Sequence, residues 1–99
     1  MSKKEKIAQF LINKKGYEPH YKGFAYLTYI LTYYNEGEIM DICKTYQSVA
    51  KELKVTSMSV ERCLRTLFGA QKKKTTNKRE IFALFHELKD KKIWARERN

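Results

Sequence analysis

The stretch "VAKELKVTSMSVERCL", from Val49 to Leu64, constrains this chain more than any other. Two short segments with apolar residues at helical spacing are hinged at "KVT". Position by position they fit a helix-turn-helix. Val49 and Leu53 are expected to face inward from the first helix, and Ala50 is small where two helices must cross closely. Val55 reads as an apolar plug in the turn, and Val60 and Cys63 return to the core from the second helix. Thr56 or Ser57 can cap that second helix through its hydroxyl. Glu61, near its start, is favoured by the helix dipole. Such turns often contain glycine, but here Lys54 occupies the bend. If Lys54 is left-handed, the backbone is strained by roughly 1–2 kcal/mol.

The rest of the chain also reads as helices. Ser2 can cap a first one with Ile7, Phe10 and Leu11 as its apolar stripe, ended by Gly16 and Pro19. A second starts near Lys22 or Gly23 and runs to about Tyr34. It has Phe24, Leu27, Ile30, Leu31 and Tyr34 on one face and Tyr26, Tyr29 and Tyr33 on another. A helix apolar on nearly all sides is central or lies at a subunit contact. "IMDIC" fits either a short helix or an extended connector. A last helix follows Thr76 or Asn77 as cap, with Ile81, Leu84, Phe85 and Leu88 as its stripe, and can carry on towards Trp94. No strand alternation of useful length and no repeat interrupts this pattern. The expected fold is all-α, a compact bundle of about five or six short helices containing the helix-turn-helix. Residues 1–99 are expected to form that single domain.

No apolar run approaches the roughly 20 residues of a membrane span, and no signal peptide is evident at the N-terminus. Cys43 and Cys63 show no paired motif, which points to a reducing cytoplasm rather than a disulfide framework. The formal net charge of +10 is unevenly spread. Between Lys44 and Arg79 there are ten basic residues opposed only by Glu52 and Glu61. Glu36, Glu38 and Asp41 lie just before that window. A basic half of this kind points to a polyanion, most often nucleic acid.

The second helix of the motif divides at 100° per residue. Val60, Cys63, Leu64, Leu67 and Phe68 fall on one side. Met58, Ser59, Arg62, Arg65 and Thr66 fall on the other, with Glu61 on the flank. Arginine can fork onto guanine O6 and N7, glutamate can accept from cytosine N4, and serine or threonine can touch bases or phosphates. The expected partner is duplex DNA.

Four stretches add a resemblance: "HYKGFAYL" (His20 to Leu27), "YQSVAKEL" (Tyr46 to Leu53), "SVERCLR" (Ser59 to Arg65) and "TNKREI" (Thr76 to Ile81). In order and near spacing they resemble the DNA-binding effector domain of the stage zero sporulation protein A family, over about residues 7–88. That resemblance implies a compact helical domain that binds promoter DNA in the major groove, often as tandem copies or dimers, and regulates transcription in a bacterial cytoplasm. Carried over by position, the base-reading residues are Ser59, Glu61, Arg62, Arg65 and Thr66, on a recognition helix of about residues 57–68. Lys44, Ser48, Lys51, Thr56 and Ser57 are expected to hold the DNA backbone, and Lys72, Lys73 and Lys74 to grip flanking phosphates without reading sequence. The family usually has an arginine where this chain has Ser59, so the sequence read is expected to differ. "LFGAQKKKTTN" replaces a longer helix end and connector. No receiver domain is expected within these 99 residues.

Other chemistries find no support. His20 and His86 sit in no Cys/His ligand spacing, so no metal is expected. No glycine-rich phosphate loop exists. Cys63 falls on the core side of its helix. No cofactor and no catalytic residue is expected. Two rival functions stand beside DNA reading. One is a protein-binding antagonist of a regulator or nucleoprotein, built on the same scaffold and docking through Tyr26, Tyr29 and Tyr33. The other is a small RNA-associated basic protein, against which the lack of glycine-flanked aromatics counts.

Overall fold

A computed structural model describes residues 2–71 and 75–90. Among them the chain forms six helices: α1 (Lys3–Lys14), α2 (Lys22–Tyr33), α3 (Glu36–Met40), α4 (Ile42–Leu53), α5 (Ser57–Ala70) and α6 (Asn77–Asp90). The chain is all-α over these residues, and none of the helices is long and apolar enough to cross a membrane.

Local chemistry explains most of the boundaries. Ser2 caps α1, its Oγ accepting from the Glu5 amide at 3.2 Å. The other end of α1 closes on Gly16, whose φ is +93°. The Gly16 amide donates to the Asn13 carbonyl (2.9 Å) and the Tyr17 amide to the Ile12 carbonyl (3.3 Å), which satisfies two carbonyls that the helix leaves open. "IMDIC" contains the end of a short helix. Asn35 and Glu38 cap α3 reciprocally, each side chain bonded to the other's amide. Asp41 ends α3 and caps α4. Thr76 accepts from the Arg79 amide (3.2 Å) and so serves as the cap of α6.

α2 is the central helix, in contact with α1, α4, α5 and α6. Leu27, Ile30 and Leu31 are fully buried. Thr28 and Thr32, also buried, return their hydroxyl protons to the carbonyls of Phe24 (2.8 Å) and Thr28 (2.7 Å). Gly23 marks the crossing with α5. A Cβ placed there would stand 2.4 Å from the Cys63 carbonyl oxygen, so no other residue fits without moving a helix. The α6 stripe of Ile81, Leu84, Phe85 and Leu88 is buried as expected.

Several sequence expectations need correction. Phe10 is 68% exposed, because the buried stripe of α1 is Ala8, Leu11 and Ile12. Phe10 lies two residues, about 200°, beyond Ala8. Leu53 and Val55 do not point into the core but stand partly exposed where α4 ends. Tyr26 is buried against the core and does not share a surface with Tyr33, which is exposed. The lysine run 72–74 and the extension towards Trp94 lie outside the described residues.

Candidate nucleic-acid interface

The bend at "KVT" has the geometry that makes lysine unfavourable there. Lys54 is left-handed, with φ 58° and ψ 45°, and among the described residues it is the one non-glycine with positive φ. The Val55 amide donates to the Ala50 carbonyl at 2.9 Å and closes the end of α4. Thr56 then starts α5, its Oγ1 accepting from the Ser59 amide at 3.0 Å. The Thr56 proton remains available to donate. The amides of Ser57 and Met58, in the first turn of α5, have no preceding carbonyl within the helix to bond.

α5 is seated by contacts along its length. Val60, Leu64, Leu67 and Phe68 are buried. The Cys63 carbonyl meets α2 over Gly23. The Asn77 side-chain amide donates to the Glu61 carbonyl at 3.1 Å and ties the start of α6 to the middle of α5. Near the far end, Phe68 packs edge-on to Tyr17, with ring centroids 5.6 Å apart, and Gln71 donates to the Gly16 carbonyl at 2.5 Å. Little is left free except the face turned to solvent.

That face carries the expected residues. Arg62, Arg65 and Thr66 are exposed, and Ser59 and Glu61 are half-buried. Glu61 and Arg65 form an i,i+4 ion pair. Arg62 makes no ion pair among the described residues. The Arg65 end of this pair is solvent-exposed and such surface pairs contribute little net energy, so an approaching ligand can exchange the pair for its own contacts.

The residues expected to hold a DNA backbone are less unified. Thr56 and Ser57 stand exposed at the start of α5. Lys51 is exposed beside the turn, lining a cleft with Lys54 and Glu52. Lys44 is exposed but pairs with Asp41 at 3.7 Å. Ser48 lies in a cleft with Tyr34 and Glu38 and hydrogen-bonds the Tyr34 phenol. Burial holds that phenol above the ordinary tyrosine range, with Tyr29, Glu38 and Glu52 pushing the same way. Lys44 and Ser48 thus sit towards α3, whereas Cys43 and Tyr46 share a hollow with Glu61, Arg65 and the start of α6. Burial also raises the Tyr46 phenol, against a hydrogen bond to Asn77 that lowers it.

Sequence reading did not find the supporting residues Asn77, Tyr46 and Gly23. Asn77 stood out only as a cap, and Gly23 only as a helix start. Neither residue's partner is visible until α5 is in place. The histidines each face a carboxylate: His20 lies 3.5 Å from Glu18, and His86 lies 3.3 Å from Glu36.

A family model described as sporulation initiation factor Spo0A C terminal matches residues 8–97. The family is the DNA-binding domain of a sporulation regulator. No curated protein and no solved structure shows significant similarity to the chain.

Proposed function

The chain belongs to the family of Spo0A C-terminal domains, and from that premise we propose that it is a sequence-specific duplex DNA-binding regulator of transcription acting on the bacterial nucleoid. In this reading residues 1–99 are one helix-turn-helix unit. The recognition helix enters the major groove with Arg62 at the centre of its reading face. The observation that carries the reading is the exposed Arg62 flanked by Ser59, Arg65 and Thr66 on a helix whose opposite side is locked into the core. Arg62 forks onto a guanine. Glu61 accepts from a cytosine, or keeps Arg65 aligned along the helix until a base or phosphate takes it. Thr56, Ser57, Lys51 and the α5 amides hold phosphates near the groove edge. Lys44 reaches a phosphate only by leaving Asp41. Ser48, engaged by Tyr34, belongs to the outer edge of this contact. Lys72, Lys73 and Lys74 add sequence-independent grip, and two copies bind as a dimer or in tandem.

Selection of bound sites from a random duplex library tests this. One enriched sequence is expected, with a log–log salt slope near −4 to −5 for roughly 4–6 neutralised phosphates. Arg62→Ala should weaken binding to that sequence by about 1–3 kcal/mol and relax one base position. A pool that never enriches, or tight binding indifferent to salt, would overturn it. The antagonist reading rests on a narrower surface than the sequence implied. The Tyr29 and Tyr33 rings pack tilted, with centroids 4.8 Å apart, and line a cleft with Tyr34, while Tyr26 is buried. It takes over if Arg62→Ala leaves site preference untouched while Tyr29→Ala abolishes the biological effect.

A further inference from the structure

The reading face of α5 holds one side chain whose chemistry neither the fold nor the polar contacts above account for. Met58 is 65% exposed. At 100° per residue it lies about 40° from Arg62, on the side of Arg65 and opposite Ser59. Met58 does not cap α5, since Thr56 does. It sits in the first turn, where the helix dipole favours a carboxylate over an apolar group. The core does not need it, because Val60, Leu64, Leu67 and Phe68 already fill the inner face.

A thioether is flexible and polarizable, and it fills apolar gaps of irregular shape. On the base edges of the major groove, the apolar group on offer is the C5-methyl of thymine. Met58 and Arg62 are separated by four residues, about 6 Å along the helix axis. That is one or two base steps at about 3.4 Å each. The first turn of a recognition helix is also the part that reaches base edges most directly. Ser59, the next residue in the chain, lies about 100° around the helix and leaves Met58 unobstructed. We infer that Met58 is a specificity-determining residue, packing its thioether on the methyl group of a thymine one or two base pairs from the pair read by Arg62. This rests on the DNA-reading function proposed above.

Deoxyuridine lacks the methyl and keeps every other group of thymidine, so it isolates the contact. The probe is the duplex enriched by selection, with its thymidines replaced by deoxyuridine one at a time. At one position the replacement should weaken binding about fourfold, the worth of one buried methyl group. Met58→Ala should bind the unmodified duplex about fourfold more weakly and no longer distinguish the two bases there. Its melting temperature should match that of the parent chain, because the side chain is outside the core. The inference is overturned alone if every deoxyuridine duplex binds like its parent, or if the difference persists undiminished in Met58→Ala. A library that yields no enriched duplex overturns the DNA-reading function and this inference together.

Discussion

Among the described residues two helices end on a left-handed residue and close with the same kind of backbone bond, Tyr17 to Ile12 and Val55 to Ala50, but the two ends differ in how the chain that follows is held. α1 closes on Gly16, which adopts φ +93° without a side chain to strain. α4 closes on Lys54, at φ 58°. After Gly16 the chain is fastened at once. Tyr17 is 1% exposed, its hydroxyl donates to Glu80 at 2.9 Å, and its ring packs on Phe68. After Lys54 nothing comparable happens. Lys54, Val55 and Thr56 are all exposed. The first turn is a clasp holding α1, α5 and α6 together. The second accepts strain, keeps a cation and leaves its surface uncovered.

The largest effect should come from opening the clasp. Tyr17→Ala removes a fully buried aromatic ring and its hydrogen bond to Glu80. A loss of about 3–5 kcal/mol is expected, as for other large aromatics cut to alanine. That is a large part of the roughly 5–15 kcal/mol available to a small domain. Urea unfolding measures it directly. A loss under about 1 kcal/mol would mean that the first turn is no more fastened than the second, and the contrast would collapse.

Alkali should attack the same point. Burial, followed by the hydrogen bond to the Glu80 carboxylate, raises the Tyr17 phenol well above the ordinary tyrosine range. The folded state therefore holds this proton more tightly than the unfolded chain. Its contribution to stability is complete below the unfolded value of about 10 and disappears as pH rises through the folded value. Melting temperature should fall as pH is raised above about 10. Tyr17→Phe should start from a lower melting temperature and fall less steeply. Tyr34 and Tyr46 are raised in the same direction, chiefly by burial, so the slope should shrink without vanishing. An identical slope in the variant would show that Tyr17 ionises as easily in the fold as outside it.

This contrast also explains what the sequence could reveal. Features settled within a turn or two were legible: the Ser2 and Thr56 caps, the α6 stripe, the bend at Lys54 and the split of α5 into buried and exposed faces. Each depends on residues at most a few positions apart. The clasp was not legible, because Tyr17 and Glu80 meet only after five helices have packed. Gly23 was invisible for the same reason, since its neighbour is the Cys63 carbonyl. Phe10 was misplaced because its helix offers two overlapping apolar stripes, and the sequence alone does not say which one α2 covers. Tyr26 was misplaced because a helix with hydrophobic groups nearly all round has no marked outer face until α4 and α5 are added. On the candidate site, periodicity placed Ser59, Arg62, Arg65 and Thr66 on the solvent side of α5, and only the family resemblance made them candidate base readers. The position of Ser48 was not, because it depends on Tyr34, a residue of the connection after α2.

The smallest effects test the turn residues themselves. Gly16→Ala should destabilise by about 1–2 kcal/mol, the strain of a left-handed residue that carries a Cβ. The added atom would stand 3.2 Å from the Gln71 side-chain oxygen, which can move aside, so the backbone supplies most of the penalty. Lys54→Gly runs the other way. It relieves about 1–2 kcal/mol of strain and gives back about 0.5–1 kcal/mol in unfolded-chain entropy. A net gain of about 0.5–1 kcal/mol is expected, visible as a small rise in melting temperature. The informative measurement is on the same variant with DNA. If the strained lysine is kept to meet a phosphate, affinity for every duplex should fall by a similar modest factor, and the salt slope should shrink by about 1. A variant that is more stable and binds DNA as before would leave the strain at Lys54 without a function. One that loses stability would show that the Lys54 side chain does structural work, and the two turns would then be more alike than their backbones imply.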